Sequence, residues 1–176
     1  MKSLNELGQK ISIIGTSNSG KSTLAQNLSK KINVPCFHLD QIAFYPNTNW
    51  LRRPNDEFIE DHNKLLSGKS WIIEGNYSSC MKGRFDYSDT VIWLDSSVFS
   101  CVYRYIRRAI KGDSNRPGRL AGATKEFNFD MITHILFTYP KLRRRYTSLL
   151  ASSNISPLII RSLKDLNKYY KNWELD

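Results

Sequence analysis

The chain is poor in the residues that build disulfide or metal frameworks. Its three cysteines, Cys36, Cys80 and Cys101, are odd in number and lack Cys-x-x-Cys spacing, which argues against a disulfide scaffold and against a zinc site. His38, His62 and His134 stand far apart and form no ligand motif, so each reads as a packed or surface residue. No apolar run approaches the roughly 20 residues of a membrane span, and the first residues lack the basic start and apolar block of a signal peptide. The expectation is a cytoplasmic protein with no membrane partner. Repeats and low-complexity stretches are also missing, and 40% hydrophobic content predicts one folded domain over residues 1–176, with only Met1–Gly8 polar enough to fray. Acidic residues are scarce: 16 Asp and Glu face 26 Lys and Arg, a net charge of +10. The excess is local, because residues 104–145 hold eleven Lys and Arg against three Asp and Glu. Anionic partners are implied.

What is present begins with Gly15-Thr-Ser-Asn-Ser-Gly-Lys-Ser22, which fits Gly-x-x-x-x-Gly-Lys-Ser/Thr at every position. Before it, Lys10–Ile14 reads as a short buried strand. After it, Leu24, Ala25, Leu28 and Ile32 recur at helical spacing over Lys21–Ile32. A strand, a glycine-rich turn and a helix place consecutive amide N–H groups and a helix N-terminus around a polyphosphate. The nucleotide-binding set is therefore Gly15, Thr16, Ser17, Asn18, Ser19, Gly20, Lys21, Ser22 and Thr23. Lys21 is assigned to the outer phosphates and Ser22 to magnesium. A dinucleotide fingerprint is excluded, since the third glycine is missing.

Further strands are predicted at Val34–His38, Trp71–Glu74, Thr90–Leu94 and Pro157–Ile160, separated by helices at about 54–67, from Ser97, up to about Tyr139 with a kink or interruption at Pro140 and resuming through Leu149, and at Leu163–Trp173. The helix from Ser97 carries Val98, Cys101, Val102, Tyr105, Ile106, Ala109 and Ile110 as one buried stripe, with Arg104, Arg107, Arg108 and Lys111 opposite. Short apolar strands alternating with helices give an α/β fold with a parallel sheet covered on both faces. Gly15, Asp40, Glu74 and Asp95 each follow a strand, which is where such sheets bind ligands.

On GTSNSGKST, Phe37-His-Leu-Asp40 with Trp50 downstream, Trp71-Ile-Ile-Glu-Gly-Asn-Tyr77, Asp89-Thr-Val-Ile-Trp-Leu-Asp95 and the Arg-rich helix after it, the chain resembles the adenylate-kinase-like P-loop kinases. Within that group it is similar to the bacterial DNA topology modulation proteins. The resemblance implies a three-layer α/β/α sandwich with strand order 2-3-1-4-5, ATP and Mg2+ as cofactors, an acceptor region at 40–66 and a lid at 112–125. Arg104 and Arg108 then match arginines at the lid hinge, and Arg116 lies inside the lid. Glu74 stands where many nucleotide kinases have Asp.

Phosphoryl transfer needs positive charge around the migrating group, a bridging metal and exclusion of water. The catalytic candidates are Lys21, Asp40, Arg104, Arg108 and Arg116. Asp40 is suited to orient an acceptor hydroxyl or a metal-bound water, while Ser22 and Glu74 are the candidate metal residues. Asp40, Trp50, Arg53, Asn76 and Arg84 are the candidates for binding a small, nucleotide-like acceptor, since rings mixed with positive charge suit a flat anion. Each has a plainer reading: a turn cap for Asp40, turn support for Glu74, a solvated helix face for the arginines, simple packing for the aromatics. Asp95 reads as a helix cap. A second function is a nucleic-acid-associated ATP-binding protein or polynucleotide kinase working through the basic segment 104–145, where Lys141-Leu-Arg-Arg-Arg145 is left over by the kinase reading. A third is a regulatory nucleotide binder without transfer. Monomer and homodimer are both compatible with the sequence.

Overall fold

A computed structural model describes residues 1–111, 116–122 and 127–176. Five parallel strands lie in the order β2-β3-β1-β4-β5: β1 Lys10–Gly15, β2 Cys36–His38, β3 Trp71–Glu74, β4 Thr90–Leu94 and β5 Leu158–Ile160. The order and the layering expected from the sequence are those observed. β1 occupies the middle, with Ile11 opposite Ile72 of β3 and Thr90 of β4. β3 and β4 are buried along their whole length, which is why they read as unbroken apolar runs.

Strand alternation divides the apolar residues between the two faces. Ile11, Ile13, Ile72, Ile92 and Leu94 pack with Leu24 and Leu28 of α1 (Lys21–Ile32) and with Leu166 and Trp173 of α8 (Leu163–Trp173). Ile14, Val91 and Trp93 turn the other way, onto Met81 and Phe85 of α4 (Ser78–Asp86) and onto Tyr139 and Tyr146 of α7 (Tyr139–Ala151). Trp71 and Ile73 join Leu39 of α2 (Leu39–Ala43) and Phe58 and Leu66 of α3 (Asn55–Leu66). Each fully buried aliphatic or aromatic side chain contributes roughly 1.5–3 kcal/mol over its exposed state.

Three expectations are corrected. The first residues do not fray: Leu4–Leu7 form a 3₁₀ turn, Ser3 donates its N–H and hydroxyl to Glu6, Leu7 is fully buried, and Trp173 Nε1 donates to the Lys2 carbonyl at 3.1 Å. Next, α5 (Val98–Lys111) does not bury one continuous stripe. Cys101 and Tyr105 face inward, whereas Ile106 and Ile110 are 38% and 81% exposed and continue an outer apolar row with Phe99 and Tyr103. Among the described residues the helix reaches the core through Val98 beside the sheet and through its contacts with Ile135, Met131 and Ile132, and its outer side has no layer to enter. Finally, of the kink or interruption expected at Pro140, the chain shows a widened turn and no interruption. α6 (Phe129–Thr133) runs through a π turn at His134–Thr138 into α7, and Tyr139 N–H donates to the His134 carbonyl five residues back. Pro140 lacks an N–H and its ring crowds the carbonyl four residues earlier, and the wider turn relieves both.

Candidate active site

The site is assembled at the C-terminal ends of β1, β2 and β3. β1 ends at Gly15 with φ 144°, and a Cβ there would lie 2.3 Å from the Leu94 carbonyl oxygen, so only glycine lets the chain leave the strand in this direction. The loop closes on itself, with Ser19 N–H donating to the Thr16 carbonyl at 3.1 Å, and enters α1 through Gly20 at φ 98°. Lys21 Nζ turns back over the loop and donates to the Thr16 carbonyl at 3.1 Å. Ser19 Oγ is fully buried without a hydrogen-bond partner among the described residues. A cradle of amides, a lysine at its rim and a spare hydroxyl fit the polyphosphate of a nucleotide.

Beside the cradle, Ser22 Oγ donates to Glu74 Oε1 at 2.9 Å, and His38 Nδ1 meets the same oxygen at 2.8 Å. Glu74 ends β3 and His38 ends β2, and the strand register pairs them directly. Burial opposes the charge of Glu74, but His38, Lys21 and Ser22 together hold its carboxyl below the usual range. On His38 burial likewise opposes the charged ring, and contacts with Cys36 and Glu74 override it, lifting the imidazole to about 10. Ser22 and Glu74 thus offer adjoining oxygens of the kind that suit Mg2+ together with phosphate oxygens. Among the described residues no group of three or more His, Cys, Asp and Glu could hold a metal by itself.

Asp40 lies in α2, just past β2, and accepts a hydrogen bond from the Tyr77 hydroxyl at 2.7 Å. Burial, followed by the charge of Glu74, raises its carboxyl, while Lys21 and Arg116 lie near enough to pull it down. Lys21, Asp40, Glu74 and Arg116 therefore share one electrostatic neighbourhood. Of the lid at 112–125, residues 112–115 and 123–125 lie outside the described residues. Residues 116–122 cross the site: a Cβ on Gly118 would be 2.9 Å from His38 Nδ1 and 3.1 Å from Ser22 Oγ. Gln41 donates to the Arg119 carbonyl at 3.0 Å, Asn47 N–H donates to the Ala121 carbonyl at 2.8 Å, and Leu120 is buried.

The remaining candidates have contacts that the sequence did not disclose. Arg84 does not line the cleft: it is fully buried behind the Gly75 peptide, whose carbonyl accepts from Nη2 at 2.7 Å. Its Nε and Nη1 find no partner among the described residues, and burial lowers its pKa. Asn76 engages the phosphate loop, with Gly15 N–H donating to Oδ1 at 3.1 Å and Nδ2 donating to the Gly15 carbonyl. Arg53 is engaged by Glu57 at 3.3 Å, Asp61 at 2.9 Å and the Ile42 carbonyl at 3.0 Å. Trp50 packs edge-on against Phe44 with ring centroids 5.2 Å apart. Arg104 donates to Cys101 Sγ at 3.2 Å, and Arg108 lies over the Tyr105 ring at 5.4 Å. Asp95 grips Arg143 through two hydrogen bonds of 2.8 and 2.7 Å instead of capping α5.

Two site residues escaped the sequence reading. His38 is buried between the Ser22–Glu74 pair and the segment around Gly118, while His134, in the π turn, is close enough for the charge of Lys21 to help burial depress its pKa. The only available signal was that His38 directly precedes Leu39-Asp40 at a strand end.

Fold and site together define a P-loop kinase architecture. A shikimate kinase from Bacteroides thetaiotaomicron superposes on it with a TM-score of 0.54 at 14% identity, covering 92% of this chain and 93% of that one. An uncharacterized protein from Eubacterium ventriosum ATCC 27560 gives 0.50 at 15%, covering 93% and 95%. A gluconokinase from Sinorhizobium meliloti 1021 gives 0.45 at 13%, covering 81% and 98%. At such identities the first two likenesses establish the fold alone. No protein-family model and no curated protein matches the chain.

Proposed function

We propose that this chain is an ATP- and magnesium-dependent kinase that transfers the terminal phosphoryl group of ATP to a small, nucleotide-like acceptor. The observation that carries the reading is the convergence of a phosphate loop, the Ser22–Glu74 pair at 2.9 Å and Asp40 within one electrostatic neighbourhood. Gly15–Thr23 would hold the triphosphate, with Lys21 at the outer phosphates, and Ser22 and Glu74 would hold Mg2+, which supplies charge neutralisation between phosphates. Asp40, aimed by Tyr77, would orient the acceptor, and Arg116 would add positive charge from the segment that covers the site and keeps water out. The family resemblance to DNA topology modulation proteins and a cytoplasmic location belong to the same proposal. No helix among the described residues is long and apolar enough to cross a membrane.

A product screen with ATP, magnesium and libraries of nucleotides, sugars and short oligonucleotides tests the reading, with Lys21→Met as control. Loss of at least a thousandfold in transfer by Lys21→Met, with the fold retained by circular dichroism, is the expected result. Absence of ATP binding by folded wild-type protein refutes it.

The nucleic-acid reading keeps one supporting observation, the exposure of Arg107, Lys141, Arg144 and Arg145. Arg143 no longer supports it, because Asp95 holds that guanidinium.

A further inference from the structure

The β1–β3 ladder pairs Lys10 to Ile13 with Trp71 to Glu74, and one more rung follows, with Gly75 N–H donating to the Ile13 carbonyl at 3.2 Å. There the β3 chain turns away through Gly75 at φ 135°. The backbone of β1, however, runs on to Gly15. Its N–H and carbonyl are met on that side by the Asn76 side chain, whose Oδ1 accepts at 3.1 Å and whose Nδ2 donates. An amide side chain thus takes the place of a neighbouring strand at the residue that opens the phosphate loop. On the other side Gly15 lies against Leu94, with no room for a Cβ.

Asn76 is itself held from both directions. Arg84 Nη2 fixes the preceding Gly75 carbonyl at 2.7 Å, and the following Tyr77 is tied to Asp40 at 2.7 Å. Of the four side-chain hydrogen-bonding sites of an asparagine, the two that face Gly15 match its donor and acceptor. No other uncharged residue of this length offers both.

We infer that Asn76 is a positioning residue for the nucleotide site: it fixes the two peptides that flank the Gly15 Cα, and so the direction in which the loop amides that follow converge. This rests on the kinase reading only in naming the ligand as a nucleotide. Loss of the bracket frees the first peptide of the loop, and the cost falls on binding, since a cradle of amides is useful only when its donors point to a common centre before the ligand arrives.

The test compares wild type, Asn76→Ala and the isosteric Asn76→Asp, which keeps an acceptor but loses the donor. Calorimetry measures the Kd for ATP in excess magnesium, and hydrogen–deuterium exchange follows the peptide covering residues 15–22, with β4 as internal reference. Both variants are expected to raise Kd at least tenfold and to speed exchange in 15–22 while β4 is unchanged. A Kd within twofold of wild type together with unchanged exchange overturns the inference. If Asn76→Ala does not fold, the same two readings on Asn76→Asp decide it. If wild type itself binds no ATP, the kinase reading falls, and the exchange comparison still judges whether Asn76 orders the loop.

Discussion

At the scale of single residues, the buried polar groups are the most informative. His62 is 1% exposed in α3, packed near Phe58, and burial followed by the charge of Arg84 holds its imidazole down to about 4 from an ordinary 6.5. Between those values the unfolded chain binds a proton that the folded chain refuses, so stability falls as pH drops from 6.5 to 4 and levels off below. The share from this residue is up to about 3 kcal/mol. Thermal melts of His62→Gln should show a shallower loss of Tm over that interval than wild type, and an identical pH slope would contradict the assignment. The phosphate loop was legible at this scale because its eight residues are consecutive and their types are dictated by phosphate geometry. His38 was not legible as a site residue, and Asn76 was read as an acceptor-binding candidate without its contact to the loop. Their partners, Glu74 and Gly15, lie 36 and 61 positions away, and only the strand register brings them together.

At the scale of elements, the Arg143–Asp95 pair joins α7 to the end of β4. The Asp95 side chain is 6% exposed, so removing the guanidinium strands a nearly buried carboxylate, whereas Arg144 and Arg145 are exposed. Arg143→Ala should cost about 1–3 kcal/mol and lower Tm by several degrees, while Arg144→Ala and Arg145→Ala leave it within about one degree. Equal effects of all three in calorimetric melts would show that the pair carries no special weight. β3, β4, α1 and α8 were readable to the residue because their apolar spacing is uninterrupted. α4 was not, since Ser78-Ser-Cys-Met-Lys-Gly83 has no helical period and sets Met81 and Lys82 among two serines, a cysteine and a glycine, all weaker helix formers. The single buried stripe expected for α5 failed for a related reason. Periodicity identifies apolar positions without saying how many of them a neighbouring layer covers.

For the whole molecule, charge and apolar exposure decide which partners are suitable. The net charge of +10 attracts any polyanion at low ionic strength. On the proposed function the loop would make a few fixed contacts with a triphosphate, so the Kd for ATP should rise only modestly between about 50 and 300 mM salt. Binding of a duplex oligonucleotide to the basic surface, by contrast, should fall by orders of magnitude. Titrations of both ligands across that range distinguish the two; a steep fall for ATP would move the nucleotide out of the loop and onto the open surface. The chain's sandwich and strand order followed from strand spacing and family likeness together, because parallel strands need helical crossovers.

The π turn at His134–Thr138 has a consequence for how this region tolerates insertions and deletions. Each residue of an ordinary helix advances the side chains by about 100°, so the wider turn acts as a phase shifter. It lets Ile135 meet Cys101 and Tyr105 while Tyr139 and Tyr146 meet Trp93 on the sheet. Excising one residue, such as the exposed Phe137, would restore regular winding and rotate one seam out of contact whenever the other is satisfied. The length of this turn is therefore as constrained as the identity of any residue in it, although Ile135 alone of its five residues is buried.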